Sequence, residues 1–448
     1  FSPDGLKVAY VSEHNVYAED LQTGAIKKLT DDNGTRKLIN GTFDWVYEEE
    51  FSCRDGFRWS DDSKSIAYWQ IDANKIRDYY MLNTTDSVYS QVIPVEYPKV
   101  GQPPSPARIG VVDIASANTT WMKVEGDPEQ NYIIRMEWSG PNELILQQLN
   151  RKQNQSRLIL CNTSTGDAKT AYEEQDAAWV STINEWSTNV AGWDWLNGKK
   201  DFIWLSEKDG WRHIYKISHD GKKETLLTKG NMDAMSIVNI DEKKGVVYYN
   251  ASPDNATQSY LYKSKLDGTG TPERVSPAVE EGTHDYEISP NGKFARHNFS
   301  NYYTENLAEW VTLPDHKPFK KEEDITKKIS LQDKQASNVS FFKVTTEDGV
   351  TMDGWMVKPD NFDSTKKYPV VFYVYGEPAS ATVSDSYGSA GNFLYKGDMA
   401  KDGYVQISLD NRGTPAPKGR EWRKSIYKKL GQLNIRDQAL GAKEVLKW

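Results

Sequence analysis

The sequence predicts a mainly β chain of repeated sheets that ends in an α/β segment, and three observations carry that prediction. A turn-and-strand unit recurs through roughly the first three hundred residues. Aromatic residues are abundant, with 15 Trp and 25 Tyr in 448 residues, and such side chains favour the half-buried surface of a sheet. Beyond residue 315 the pattern changes to strands alternating with helical stretches, the signature of an α/β sheet. A chain of this length can hold two or three domains with substantial cores.

The repeat is clearest in Ser2-Pro3-Asp4-Gly5-Leu6-Lys7-Val8-Ala9-Tyr10, which returns as Trp59-Ser60-Asp61-Asp62-Ser63-Lys64-Ser65-Ile66-Ala67-Tyr68. Weaker copies stand at Trp138 to Leu144, Trp195 to Lys200, Ile240 to Gly245 and Ile288 to Lys293. Each is a turn followed by an alternating strand. The spacing, roughly 45 to 80 residues, suits propeller blades of four strands with insertions better than a β-helix or a sandwich. Asp20 to Gly24 and Asn162 to Gly166 read as hairpin turns later in a blade. The proline-rich stretch Tyr97 to Pro106 reads as a loop or extended arm.

Leu313-Pro314-Asp315-His316-Lys317-Pro318 and the charged run Lys320 to Asp324 read as a connection, which sets the expected domains at 1–320, a β-propeller, and 321–448, an α/β domain. In the second, Phe341 to Thr346, Gly354 to Lys358, Pro369 to Tyr375 and Tyr404 to Leu409 read as strands. Gly391 to Lys401 and Gly431 to Trp448 read as helices.

Composition narrows the function. A net charge of −9 leaves no basic footprint for nucleic acid or an anionic membrane surface. Cys53 and Cys161 are the only cysteines, so no disulfide framework and no cysteine metal site is expected. The six histidines stand far apart in sequence without an H-E-x-x-H or H-x-H pair, so neither a metal nor another cofactor is expected. No run of eighteen apolar residues occurs. Asn-x-Ser/Thr triplets at Asn33, Asn83, Asn118, Asn250 and Asn338 would be glycosylation sites only in a eukaryotic secreted protein; high lysine and scarce cysteine lean toward a bacterial one.

The most informative stretch is Asp44-Trp45-Val46-Tyr47-Glu48-Glu49-Glu50. Three like charges in a row repel one another, so a fold that keeps them together has use for a cation, of which a peptide's free amino terminus is one. In a helical turn successive side chains diverge by roughly 100°, which lets Glu49 and Glu50 flank one ammonium group from adjacent directions; in a strand Glu48 and Glu50 would share a face instead. A solvated acidic turn is the competing reading. Burial of Trp45 and Tyr47 would anchor the turn and speaks against it.

This run resembles the double-glutamate motif of the dipeptidyl peptidase IV family of serine exopeptidases, whose last two glutamates grip the substrate's amino terminus; the carry-over lands on Glu49 and Glu50. Two further stretches resemble the start of the family's hydrolase domain: Thr346 to Trp355 with Tyr368 to Pro378, and Asp410-Asn411-Arg412-Gly413-Thr414. The resemblance therefore covers nearly the whole chain. It implies an eight-bladed propeller, incomplete here with its first blade or blades upstream of Phe1, followed by the N-terminal part of an α/β-hydrolase domain. No G-x-S-x-G elbow occurs, and Ser384-Asp385-Ser386-Tyr387-Gly388 is an imitation that precedes the strand at Tyr404. The Ser, Asp and His of the triad are expected beyond Trp448.

The resemblance also makes Tyr375, at the end of the Val-Tyr-Gly strand, the donor to the oxyanion; a core tyrosine at a strand end is the alternative. Glu377 departs from the family, which has glycine there, and no arginine before Glu48 matches the family's carbonyl-binding one. Arg412 is expected to pair with a carboxylate beneath the sheet, and His213 to be a packed strand residue. The implied activity is release of N-terminal X-Pro or X-Ala dipeptides from peptides with a free amino terminus, in the periplasm or outside a bacterial cell, or as a eukaryotic secreted or membrane-anchored enzyme. A homodimer is compatible with it. The rival readings are a prolyl tripeptidyl peptidase and a non-catalytic propeller binding module.

Overall fold

The computed structural model describes residues 1–182, 193–332, 334 and 337–448. They form a mainly β structure of small sheets, each drawn from one region of the chain. The first sheet has three strands, Lys7–Ser12, Asn15–Asp20 and Ile26–Lys28. In the second, Ser65–Asp72 is central: it pairs with Ala107–Asp113 on one side and with both Leu38–Asn40 and Phe57–Trp59 on the other. Four antiparallel four-stranded sheets follow, beginning at Asn131–Gly140, Trp195–Leu196, Ala234–Asp241 and Thr283–Ile288.

The sequence repeat has a shared atomic basis. Ser2 Oγ donates to Asp4 Oδ1 at 2.6 Å, Ser60 Oγ to Asp62 Oδ1 at 2.7 Å, and Ser289 Oγ to Asn291 Oδ1 at 2.9 Å. In these three copies the same serine hydroxyl accepts the amide of the residue five positions on, Lys7, Ser65 or Phe294, at 2.9 to 3.1 Å. These side chains replace the water that a tight turn would otherwise need for its backbone groups. The later hairpin turns use the related Asx device: Asn162 Oδ1 accepts the amides of Ser164 and Thr165, and Gly166 closes the turn at φ +77°.

Two compact units are distinguishable among the described residues: 1–182, 193–203 and 217–224 make one, and 204–216, 225–332, 334 and 337–448 the other. The core of the first gathers Ile39, Phe43, Tyr47, Phe51, Trp69 and Ile109 with Ile133, Met136 and Leu146. Helix α1, Trp45–Phe51, therefore sits on that core through Tyr47 and Phe51. The hairpin Asp78–Asn83 with Gln91–Glu96 projects from the second sheet, and Tyr97 to Pro106 returns from it without a strand.

In the second unit the last sheet is mixed. Val339–Thr345, Thr351–Val357 and Val405–Leu409 are antiparallel neighbours, and Val370–Phe372 joins Val405–Leu409 in parallel. The buried residues Val344, Met352, Ile407 and Leu409 pack with Val445 of helix α4, Leu433–Val445. Two short helices, α2 at Ile325–Ile329 and α3 at Gly419–Lys424, precede α4. The helix expected over Gly391 to Lys401 is absent: the segment runs through turns. Asn392 Oδ1 captures the amide of Leu394 and Asp398 Oδ1 that of Lys401, and Gly391 and Gly397 add about 1 kcal/mol each against a helix. Among the described residues no helix is long and apolar enough to cross a membrane.

Candidate functional site

Helix α1 is built to hold its acidic face outward. Asp44 caps it: one carboxylate oxygen accepts the Tyr47 amide at 3.1 Å, and the other accepts the Ser105 hydroxyl at 2.6 Å. Burial pushes the Asp44 carboxyl up, with the Ser105 and Tyr47 hydrogen bonds working against that shift. Tyr47 is fully buried and its hydroxyl accepts the Ile133 amide at 3.2 Å, so the helix is tied to the neighbouring sheet by both packing and a polar contact. Trp45 lies against Tyr97, with ring centroids 4.4 Å apart. Ser52 ends the helix in the left-handed region at φ +55°.

The three glutamates separate as a helical turn requires. Glu48 is half-buried and lies 3.7 Å from Arg54, whereas Glu49 and Glu50 are exposed. The charge run is thus a helix end anchored by aromatic residues, with Glu49 and Glu50 exposed and Glu48 beside Arg54.

In the second unit Tyr375 lies just beyond the strand Val370–Phe372 and is half exposed, which is not how a core tyrosine sits. Gly376 follows at φ +75°, and a Cβ there would stand 3.0 Å from Asn411 Oδ1. Asn411 in turn donates to the Gly376 carbonyl at 3.2 Å, fixing the backbone under Tyr375. Glu377 points to solvent. Arg412 makes a bidentate pair with Asp437 of α4, at 2.9 and 2.7 Å, so it braces the sheet as expected. His213 is a buried strand residue whose ring meets Asp209 at 2.7 Å and the Gly230 carbonyl at 2.9 Å. The elbow-like Ser384–Gly388 is a structural loop: Asp385 is buried and accepts from Gln258 Nε2 and the Tyr302 amide.

Two buried polar clusters were not anticipated. Arg423 of α3 donates to Glu207 and to both oxygens of Asp233, at 2.5 to 2.9 Å, and Lys424 lies 2.8 Å from Glu207. Burial alone would push the Glu207 carboxyl up, but Arg423, Lys424 and Arg212 hold it down at about 2. The other cluster brings His284, His297 and His316 together with Glu280 and Glu309, although the histidines are 13 and 19 positions apart. Distance along the chain had pointed away from any such gathering; the hairpin pairing of Thr283–Ile288 with Phe294–Asn301 supplies it, setting Asp285 opposite Asn298 and Tyr286 opposite His297.

Residues 1–305 match the family described as the dipeptidyl peptidase IV (DPP IV) N-terminal region, so the chain belongs to that family. It is 29% identical to dipeptidyl peptidase 4 of Trichophyton rubrum over 466 aligned positions, covering all of this chain and 58% of that protein. The probable dipeptidyl peptidase 4 of Aspergillus flavus is 26% identical over 99% of this chain. The crystal structure of Porphyromonas gingivalis dipeptidyl peptidase 4 superposes with a TM-score of 0.84 at 26% identity, across 99% of this chain and 61% of that one. A putative dipeptidyl aminopeptidase IV from Bacteroides ovatus shares the fold, with a TM-score of 0.79 at 22% identity. The chain spans about 58% of the length of the curated relatives it matches.

Proposed function

We propose that this chain is the amine-recognition and oxyanion-donor part of a serine exopeptidase that releases X-Pro or X-Ala dipeptides from free peptide amino termini. The observation that carries the reading is the pair of adjacent exposed carboxylates on α1, Glu49 and Glu50, with Glu48 drawn toward Arg54. Two carboxylates on one short helix suit a primary ammonium, each forming a charge-assisted hydrogen bond of about 1.5 to 3 kcal/mol. Family membership and the names of the relatives support the same activity. The sheets up to residue 320 are read as propeller blades, and 321–448 as the opening of the hydrolase domain, in which Tyr375 donates to the oxyanion. The triad is assigned to the remainder of the full-length protein, which is read as acting in the periplasm or outside the cell.

The test is steady-state kinetics of the full-length protein on a Gly-Pro anilide and its N-acetylated form. Glu49→Gln and Glu50→Gln are each expected to lower kcat/KM on the free amine by one to two decades, the equivalent of about 1.4 to 2.8 kcal/mol. Because the ammonium sets the register of the scissile bond, kcat should fall as well as KM rise. Cleavage of the acetylated substrate should be slow and indifferent to both changes. Full activity in both variants, with loss only in Glu48→Gln, would show that the register assigned to the acidic run is wrong.

A further inference from the structure

We infer that Glu280, His284 and His297 form a divalent-metal site, best matched to zinc, in the sixth sheet of the chain. The argument rests on which atoms of the three side chains are already committed. His284 Nε2 lies 2.8 Å from the Glu280 carbonyl, an acceptor, so that nitrogen carries the proton and Nδ1 is left as a lone pair. His297 Nδ1 lies 3.0 Å from Glu309 Oε1, so with an ionised Glu309 its proton sits there and Nε2 is left as a lone pair. Glu280 Oε1 accepts the Thr326 hydroxyl at 2.5 Å, while Oε2 is buried with no hydrogen-bond partner among the described residues.

Three unprotonated acceptors therefore converge. His284 Nδ1 faces His297 Nε2 at 2.8 Å, and Glu280 Oε2 lies 4.0 Å from His284 Nδ1. All three side chains are at most 2% exposed, so water does not screen the repulsion between them. A cation removes it. Two imidazoles and one carboxylate are a zinc ligand set, and the outer contacts are those such sites use: a carboxylate behind one histidine and a backbone carbonyl behind the other. The charges also balance, because one divalent ion offsets the carboxylates of Glu280 and Glu309.

The geometry specifies a rearrangement. Two imidazole nitrogens on one tetrahedral zinc, each at about 2.0 to 2.1 Å, stand about 3.3 Å apart, so the facing rings must tilt and part by about half an ångström when the ion enters. The competing occupant is a proton: a neutral Glu309 could donate to His297 Nδ1, and His297 Nε2 then donate to His284 in a hydrogen-bonded relay. His316 adjoins the cluster, its Nε2 at 2.8 Å from the Tyr286 hydroxyl, and stands outside the ligand set.

The experiment uses the full-length protein, stripped with a chelator and then dialysed against zinc chloride or cobalt chloride. About one equivalent of zinc should remain per chain, with a raised Tm, and cobalt should give the intense visible bands of a four-coordinate N/O site. Glu280→Gln and His284→Gln should retain less than about a tenth of an equivalent, Glu309→Gln should bind about 10 to 100-fold more weakly, and His316→Gln should bind normally. Folded wild-type protein that takes up neither metal would overturn the proposal in favour of the proton relay. Loss of metal in His316→Gln with retention in His284→Gln would overturn the ligand set. If the Glu280 or His284 variants fail to fold, the cobalt spectrum of the wild type and its displacement by zinc decide the matter, its absence again refuting the site.

Discussion

Replacing Glu207 by glutamine should cost about 3 kcal/mol of stability at pH 7, and the loss should shrink in acid. The Glu207 carboxyl is held at about 2 instead of its ordinary 4.5 by Arg423, Lys424 and Arg212, against the opposing effect of burial. Each pH unit of that displacement is worth about 1.36 kcal/mol, so the ionised form contributes about 3 kcal/mol wherever both folded and unfolded chains are ionised. Since the folded value is depressed, this contribution is present above 4.5 and lost as pH falls from there toward 2. At pH 3 about 1 kcal/mol of it remains. Equilibrium urea unfolding of wild type and Glu207→Gln at pH 7 and pH 3 measures both gaps. A difference below about 1 kcal/mol at pH 7, or one of equal size at both pH values, would refute the assignment of the cluster as a net stabiliser; buried ion pairs do sometimes contribute nothing.

Other outcomes follow from the same geometry. On the proposed role of Tyr375 as an oxyanion donor, which acts in the transition state, Tyr375→Phe in the full-length protein should lower kcat on a Gly-Pro anilide by about 10²- to 10³-fold with little change in KM. Gly376→Ala should destabilise the protein by about 1 to 2 kcal/mol in urea unfolding, because the backbone is held at φ +75° with Asn411 Oδ1 where the Cβ would go. Asp44→Ala removes both the α1 cap and the Ser105 contact, so a cost of about 1 to 2 kcal/mol is expected, and on the proposed function kcat/KM should fall although Glu49 and Glu50 are intact.

Much of this was legible in the sequence because it is local. The Ser-x-Asp turns announce themselves within a few residues, and each does close on its own serine. The run Glu48 to Glu50 is compatible in sequence with a strand or a helical turn and is helical in the structure, and Arg412 is a brace, as its sequence context suggests, here against Asp437. Where local patterns mislead, turn chemistry is the reason: the spacing in Gly391 to Lys401 is helical, but Asn392 and Asp398 satisfy neighbouring amides from their side chains. What no local pattern carries is the meeting of distant polar groups. Arg423 lies 216 positions from Glu207 and 190 from Asp233, and nothing near any of them marks the others as partners. His284 and His297 are brought side by side only once the hairpin register is known.

The orderly succession of sheets bears on how the chain is made. Among the described residues each sheet takes its strands from one region of the sequence, the second with the hairpin Asp78–Asn83 and Gln91–Glu96 inserted between its strands. At about 5 to 20 residues per second, a ribosome completes a stretch of some forty-five residues in about 2 to 9 seconds, whereas hairpins form in microseconds. Each sheet can therefore assemble while the next is still being translated. Exposed strand edges are then few at any moment, which spares a long β-rich polypeptide much of the aggregation hazard of its composition.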